Sequence, residues 1–135
     1  MKLLVHESLI DDFSPDRLIL LSHYAKYCER ALNIENVEAT LMIVPERRKY
    51  GIETTGTFEQ ETSEVFIYGK NRSFVDILRS ISHELVHVKQ HTQGWDKDHF
   101  FLHFHSQFED EANVEGMALL NAYSEVMGHD IIYEN

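Results

Sequence analysis

The sequence predicts an α+β fold: a small antiparallel or mixed sheet, with an N-terminal, a central and a C-terminal helix on one of its faces. Two observations support this prediction. Apolar residues recur at helical spacing in three separate stretches, whereas between the first two stretches apolar and polar residues alternate as they do in strands. The 135 residues contain no linker-like segment, so we expect one domain spanning 1–135 with a substantial core.

The first helix is predicted to begin at Ser14-Pro15 and to end near Asn33. Serine is a preferred N-cap, and proline is favoured in the first helical turn. The apolar face of this helix comprises residues at helical spacing, namely Leu18, Leu21, Ala25, Cys28 and Leu32. Cys28 is the only cysteine, which excludes both an intrachain disulfide and a cysteine-based zinc site, and we expect it in the core.

Three short strands are predicted after this helix. Residues Val37–Ile43 alternate between apolar and polar side chains, which indicates a strand with one solvent-facing side that stops before Pro45. Thr54–Glu59 and Val65–Tyr68 have the composition of two further strands, and the polar residues 60–63 between them favour a hairpin.

The central helix is predicted from Ser73 to Gly94. Ser73 followed by Asp76 is typical of a capping box, and glycine is typical of a helix C-terminus. One apolar stripe runs along this helix and consists of Ile77, Leu78, Ile81, Leu85 and Val88. The stripe predicts that the helix packs into the core while its neighbouring face borders a cleft.

Beside the apolar stripe lies the sequence His83-Glu84-Leu85-Val86-His87. Two histidines four residues apart on a helix point the same way and can bind one metal ion, and Glu84 is placed to move a proton beside it. The alternative is a pair of hydrogen-bonded histidines with a solvated glutamate. His91 lies a turn further, about 6 Å along the axis, and is predicted to be a surface histidine.

A further helix is predicted to continue to about Met127 and to supply a third ligand, because catalytic zinc is typically held by three protein groups. Glu109 is the first candidate and Glu111 is the second. Asn113 is expected to hydrogen-bond a ligand histidine and fix its tautomer. Two small residues would let this helix approach the central helix closely, and these are Ala112 and Gly116.

Two alternatives to a carboxylate ligand remain. Ser106-Gln107-Phe108-Glu109 is a capping-box sequence, so Glu109 would in that case close a helix N-terminus. A histidine from the aromatic segment before it is the other rival as third ligand. The histidines of this segment, together with Tyr50, are also candidate proton donors or oxyanion partners: His99, His103 and His105.

His83-Glu84-Leu85-Val86-His87 followed by Glu109-x-x-Ala112-Asn113 resembles the gluzincin pattern, HExxH with a later Glu-x-x-Ala-Asp or Glu-x-x-Ala-Asn. By this resemblance the protein would be a minimal gluzincin, similar to the small single-domain minigluzincins. The resemblance implies a minimal zincin-like fold and a zinc metalloendopeptidase, in which His83, His87 and Glu109 bind one Zn²⁺ and Glu84 is the general base. The metzincin pattern is excluded, because Gln90 and Gln93 occupy its glycine and third-histidine positions.

The expected partner is a peptide or protein substrate, extended along the edge of the Thr54–Tyr68 hairpin. The net charge of −11 disfavours general attraction to nucleic acid or to an anionic membrane. No signal peptide or membrane span is apparent, so we expect a cytoplasmic protein. The alternative function is a noncatalytic zinc-binding or peptide-binding domain, with a structural metal or with a cleft blocked by an extended tail, Asp130–Asn135.

Overall fold

The structure is a computed structural model, and it describes residues 1–94 and 105–133, except for the side chain of His105. Its strands are β1 (Lys2–Val5), β2 (Thr40–Val44), β3 (Gly56–Glu59) and β4 (Glu64–Tyr68). Its α-helices are α1 (Pro15–Ala31), α2 (Phe74–Thr92), α3 (His105–Met127) and α4 (His129–Tyr133). Short 3₁₀ helices cover Glu7–Asp12 and Arg48–Tyr50. The predicted α+β class is confirmed.

The sheet is mixed and has the strand order β1-β2-β4-β3. β2 pairs in parallel with both β1 and β4, whereas β3 and β4 form the predicted antiparallel hairpin. β3 is therefore an edge strand in the described part of the chain. β2 begins at Thr40 rather than at Val37, because the Val37 amide donates to the carbonyl of Ile34 in a turn.

β1 is absent from the sequence-based prediction. Its apolar run, Leu3-Leu4-Val5, is too short to show an alternation between two faces. Its pairing is also nonlocal, since α1 separates it from β2 along the chain. A parallel neighbour of this kind leaves no local turn signal in the sequence.

The core lies between the helices and one face of the sheet. Leu41 and Ile43 of β2 and Val65 and Ile67 of β4 are fully buried in it, together with Cys28, as predicted. The helix ends also follow the predicted signals. Ser14 and Ser73 cap α1 and α2 by accepting from backbone amides three residues later, and Gly94 has a left-handed φ of 90° just beyond α2.

Helices α2 and α3 approach each other closely where α3 carries small residues, as the sequence predicts. A Cβ atom on Gly116 would lie 3.1 Å from the backbone nitrogen of His83 and 3.2 Å from its Cα. The Ser82 hydroxyl donates to the Gly116 carbonyl at 3.0 Å. Ala112 is fully buried, and Lys89 pairs with Glu115 at 2.7 Å across the two helices. This contact brings the residues of α3 to the histidine-bearing part of α2.

We expect Gly116→Val to lower the free energy of unfolding by about 1–3 kcal/mol, because the new side chain would meet the backbone of α2 rather than a movable side chain. Urea denaturation of the metal-free protein measures this change. Ala118→Val is the matched control, since Ala118 is exposed on the same helix. A loss in Gly116→Val no larger than that in Ala118→Val would contradict the close packing, because valine has a higher helix propensity than glycine.

Candidate metal centre

Helix α2 holds the two histidines of the predicted site on one face. Because they are four residues apart, His83 and His87 lie one above the other, and their Nε2 atoms are 3.2 Å apart. The apolar residues beside them are buried in the core, so this part of α2 is fixed by packing. The predicted juxtaposition of the two imidazoles is present in the structure.

Glu109 reaches the histidine pair from α3. Its Oε1 lies 2.9 Å from His87 Nε2, and its Oε2 lies 3.3 Å from His83 Nε2. Because α3 already begins at His105, Glu109 does not close the helix N-terminus with Ser106. The carboxylate is instead directed at the two imidazoles.

These three side chains can hold a metal ion, since their ligand atoms all lie within 4.8 Å of one another. Zinc binds nitrogen and oxygen ligands at about 2.0–2.1 Å, so tetrahedral geometry separates neighbouring ligand atoms by about 3.3–3.4 Å. The two histidine nitrogens, 3.2 Å apart, are close to that value, and the carboxylate of Glu109 approaches them through its two different oxygens at 2.9 and 3.3 Å. Two imidazoles and one carboxylate are also ligand types that suit a divalent metal ion, so the group could hold one.

The electrostatics of the cluster favour positive charge between the three ligands. Hydrogen bonds from His83 and His87 hold the pKa of Glu109 far below its usual range, although partial burial opposes this. Burial acts to lower the pKa of His87, but its hydrogen bond to Glu109 and the charge of Glu84 outweigh burial, so that this pKa is raised. Protons on the imidazole nitrogens are thus stabilised in the space that a metal cation would occupy.

Glu84 is buried beside the ligands, with only 6% of its surface exposed. Its Oε1 lies 4.0 Å from His83 Nε2. Burial raises the pKa of this carboxyl group, and the nearby His87 and His83 reduce the rise. A carboxylate whose pKa is raised in this way is a better proton acceptor near neutral pH than a solvated one.

The edge strand β3 lies directly against Glu84. A Cβ atom on Gly56 would lie 3.0 Å from Glu84 Cγ, so the absence of a side chain at this position permits the contact. Further along β3, the ring of Phe58 packs edge-on against His91 at 5.8 Å between centroids. His91 itself is exposed, as predicted.

The predicted hydrogen bond between Asn113 and a histidine of the site is wrong, and Gln90 makes such a contact instead. Asn113 is exposed, because Ala112 and Gly116 are the residues of α3 that face α2. Gln90 is fully buried, and its Oε1 lies 2.8 Å from His87 Nδ1. A glutamine three residues after the second histidine, and therefore on the same side of the helix, was the available sequence signal.

Gln90 also connects His87 to α3. Its Nε2 donates to the carbonyl of Phe108 at 3.0 Å and to Glu111 Oε1 at 3.1 Å. Glu111, the second candidate ligand, therefore accepts a hydrogen bond from Gln90 and is not directed at the histidines. The ring of Phe108 stacks on the imidazole of His87, with centroids 4.2 Å apart and an interplanar angle of 16°.

None of the candidate proton donors or oxyanion partners is placed at the site by the described part of the structure. The ring of Tyr50 packs on Phe66, which lies on the sheet face opposite the core and thus away from α2. His99, His103 and the side chain of His105 lie outside the described residues.

The predicted extended tail is wrong over residues 130–133, because they belong to α4 and Ile132 is buried. Residues 134 and 135 are outside the described part.

Comparisons of the chain with known protein families, with curated proteins and with solved structures find no match. Within residues 1–94 and 105–133, no helix has the length and apolar character needed to cross a membrane. The candidate metal centre is therefore the feature from which a function can be inferred.

Proposed function

We propose that the protein is a zinc-dependent metallopeptidase of the gluzincin type, similar to the minigluzincins. The observation that supports this most is the convergence of His83, His87 and Glu109 beside the buried carboxylate of Glu84. Two of the three candidate ligands come from adjacent turns of α2, and the third comes from α3. Such a combination of three ligands and one proton acceptor is what metal-assisted peptide hydrolysis requires.

Each residue has a distinct role in this proposal. His83, His87 and Glu109 would hold one Zn²⁺, which when bound lowers the pKa of a water toward about 7 and polarises the scissile carbonyl. Glu84 accepts a proton from the attacking water and delivers it to the leaving amine. The burial that raises the pKa of Glu84 helps it to hold this proton between the two transfers.

The substrate would be a peptide or protein segment in an extended conformation. β3 is the edge strand nearest to the site, and its Gly56 lies against Glu84. An extended peptide paired with β3 through backbone hydrogen bonds would therefore pass close to the proton acceptor. This mode of binding reads the backbone, so it is compatible with many side chains in the substrate.

The rival function is a noncatalytic zinc-binding or peptide-binding domain. A structural zinc site is closed by four protein ligands, whereas a catalytic site keeps one position for water or substrate. The metal-holding group found among the described residues has three members, the number that a catalytic zinc site typically uses. A buried glutamate next to the ligands also has a role in catalysis and none in a structural site.

Cleavage of casein by the zinc-loaded protein tests the proposed function. We expect peptide fragments that disappear when 1,10-phenanthroline removes the metal and reappear when zinc is restored. Zinc content is measured on the same samples by elemental analysis. One bound zinc per chain without any cleavage would contradict the catalytic proposal and would support the noncatalytic alternative.

Glu109→Ala and Glu111→Ala should separate the two carboxylates by their zinc affinity. We expect Glu109→Ala to weaken binding by more than about 100-fold, since loss of a ligand exceeds the usual effect of losing an outer hydrogen-bonding partner. Glu111→Ala should weaken it by about tenfold or less, because Gln90 keeps its bond to Phe108. Competition with a chromophoric chelator measures both values. Indifference to both substitutions would point to a histidine as the third ligand.

A further inference from the structure

His87 can bind a metal through Nε2 only when this nitrogen carries its lone pair. In a neutral imidazole one ring nitrogen carries the hydrogen and the other carries a lone pair. The hydrogen bond that Nδ1 makes therefore decides whether Nε2 carries the lone pair. Nε2 of His87 faces His83 and Glu109. Nδ1 faces away from them and lies 2.8 Å from Oε1 of Gln90.

The amide orientation of Gln90 is fixed by its contacts with α3. Its nitrogen lies 3.0 Å from the carbonyl oxygen of Phe108, which can only accept a hydrogen bond. The NH₂ group must therefore point toward α3, and the oxygen must point toward His87. An amide oxygen only accepts, so Nδ1 of His87 is the donor, and in the neutral imidazole Nε2 then carries the lone pair.

The other neutral tautomer of His87, which carries its proton on Nε2, also has a hydrogen-bond partner. Glu109 Oε1 lies 2.9 Å from His87 Nε2 and would accept a hydrogen bond from a protonated Nε2. In the absence of metal, Glu109 thus favours the tautomer that cannot bind one, and Gln90 favours the tautomer that can. Gln90 is fully buried, so water does not replace it as the partner of Nδ1.

We propose that Gln90 is a positioning residue that selects the metal-binding tautomer of His87 and fixes its ring; this inference rests on the proposed zinc site. The ring is held on its face by Phe108, and the carbonyl of this residue also orients Gln90. Glu109 follows Phe108 directly in α3. Gln90 therefore couples the orientation of a ligand on α2 to the helix turn that carries the ligand on α3.

Two substitutions separate the acceptor of Gln90 from its donors. Gln90→Met has a similar length but offers no comparable acceptor, and we expect it to weaken zinc binding by about 10- to 100-fold. Gln90→Glu retains an oxygen that accepts from Nδ1, although its second oxygen would face two acceptors on α3, and it should lose less affinity than Gln90→Met. Gln93→Met is the matched control, because Gln93 is exposed one turn later. Chelator competition measures zinc affinity, and circular dichroism in EDTA verifies folding.

Equal zinc affinities of wild type and Gln90→Met would overturn the proposal, as would equal losses in Gln90→Met and Gln90→Glu. ¹⁵N NMR of histidine-labelled, zinc-loaded wild type tests it independently of any variant. We expect His87 to be protonated at Nδ1, and coordination through Nδ1 would overturn the inference. Failure of the proposed function is distinguishable, because the wild type would then bind no zinc or bind it without cleaving casein.

Discussion

Glu84→Gln is expected to lower peptide hydrolysis by about 10²–10⁴-fold while leaving zinc bound, because the amide keeps the shape of the carboxylate but cannot accept a proton. His83, His87 and Glu109 are unchanged in this variant, so the three ligand atoms remain in place. Casein cleavage measures the loss of activity, and elemental analysis of the same sample measures the retained zinc.

Unfolding should not account for the inactivity of Glu84→Gln. Because burial raises the pKa of Glu84, its carboxylate costs folding free energy at a pH where the unfolded state is ionised. A neutral amide avoids this cost. We expect the metal-free variant to be at least as stable as wild type in urea. Glu125→Gln, at an exposed position of α3, is the matched control for turnover. Turnover by Glu84→Gln comparable with wild type would rule out Glu84 as the base.

His87→Ala is expected to reduce bound zinc well below one ion per chain. The substitution removes one of three ligands, and it also removes the ring on which Phe108 stacks. Gln90 is left without its partner on α2. Elemental analysis after dialysis against metal-free buffer measures the occupancy. A catalytic site with three protein ligands has no spare ligand to compensate.

His91→Ala is the control for His87→Ala, since His91 is an exposed histidine one turn further along the same helix. We expect this control to retain full zinc occupancy. Full occupancy in His87→Ala itself would count against the whole site. Equal reductions in the two variants would indicate weak binding by histidines in general rather than a defined centre.

Helices α1 and α2 were predictable because their signals are local. Ser14 and Ser73 precede the first turns that they cap, and Gly94 stands where the chain leaves α2 with a left-handed backbone. β1 was not predictable in this way, because its evidence is a parallel partner on the far side of α1. The hairpin of β3 and β4 was predictable because its two strands are adjacent in sequence.

The juxtaposition of the two histidines was predictable for a similar reason, since the spacing of His83 and His87 decides their common face on one helix. Spacing could not decide whether Gln90 of α2 or Asn113 of the other helix contacts a histidine of the candidate site. That outcome depends on the rotation of α3, which is set by the contact of Gly116 with the α2 backbone. The displacement of Tyr50 from the site likewise depends on which sheet face Phe66 occupies.

Anomalous diffraction at the zinc edge, from crystals grown with zinc, is the most direct measurement of the central claim. We predict one zinc ion bound by Nε2 of His83, Nε2 of His87 and a carboxylate oxygen of Glu109 at about 2.0–2.2 Å, with the fourth position free of protein ligands. A zinc ion bound elsewhere, or one closed by a fourth protein side chain, would contradict the proposed catalytic centre.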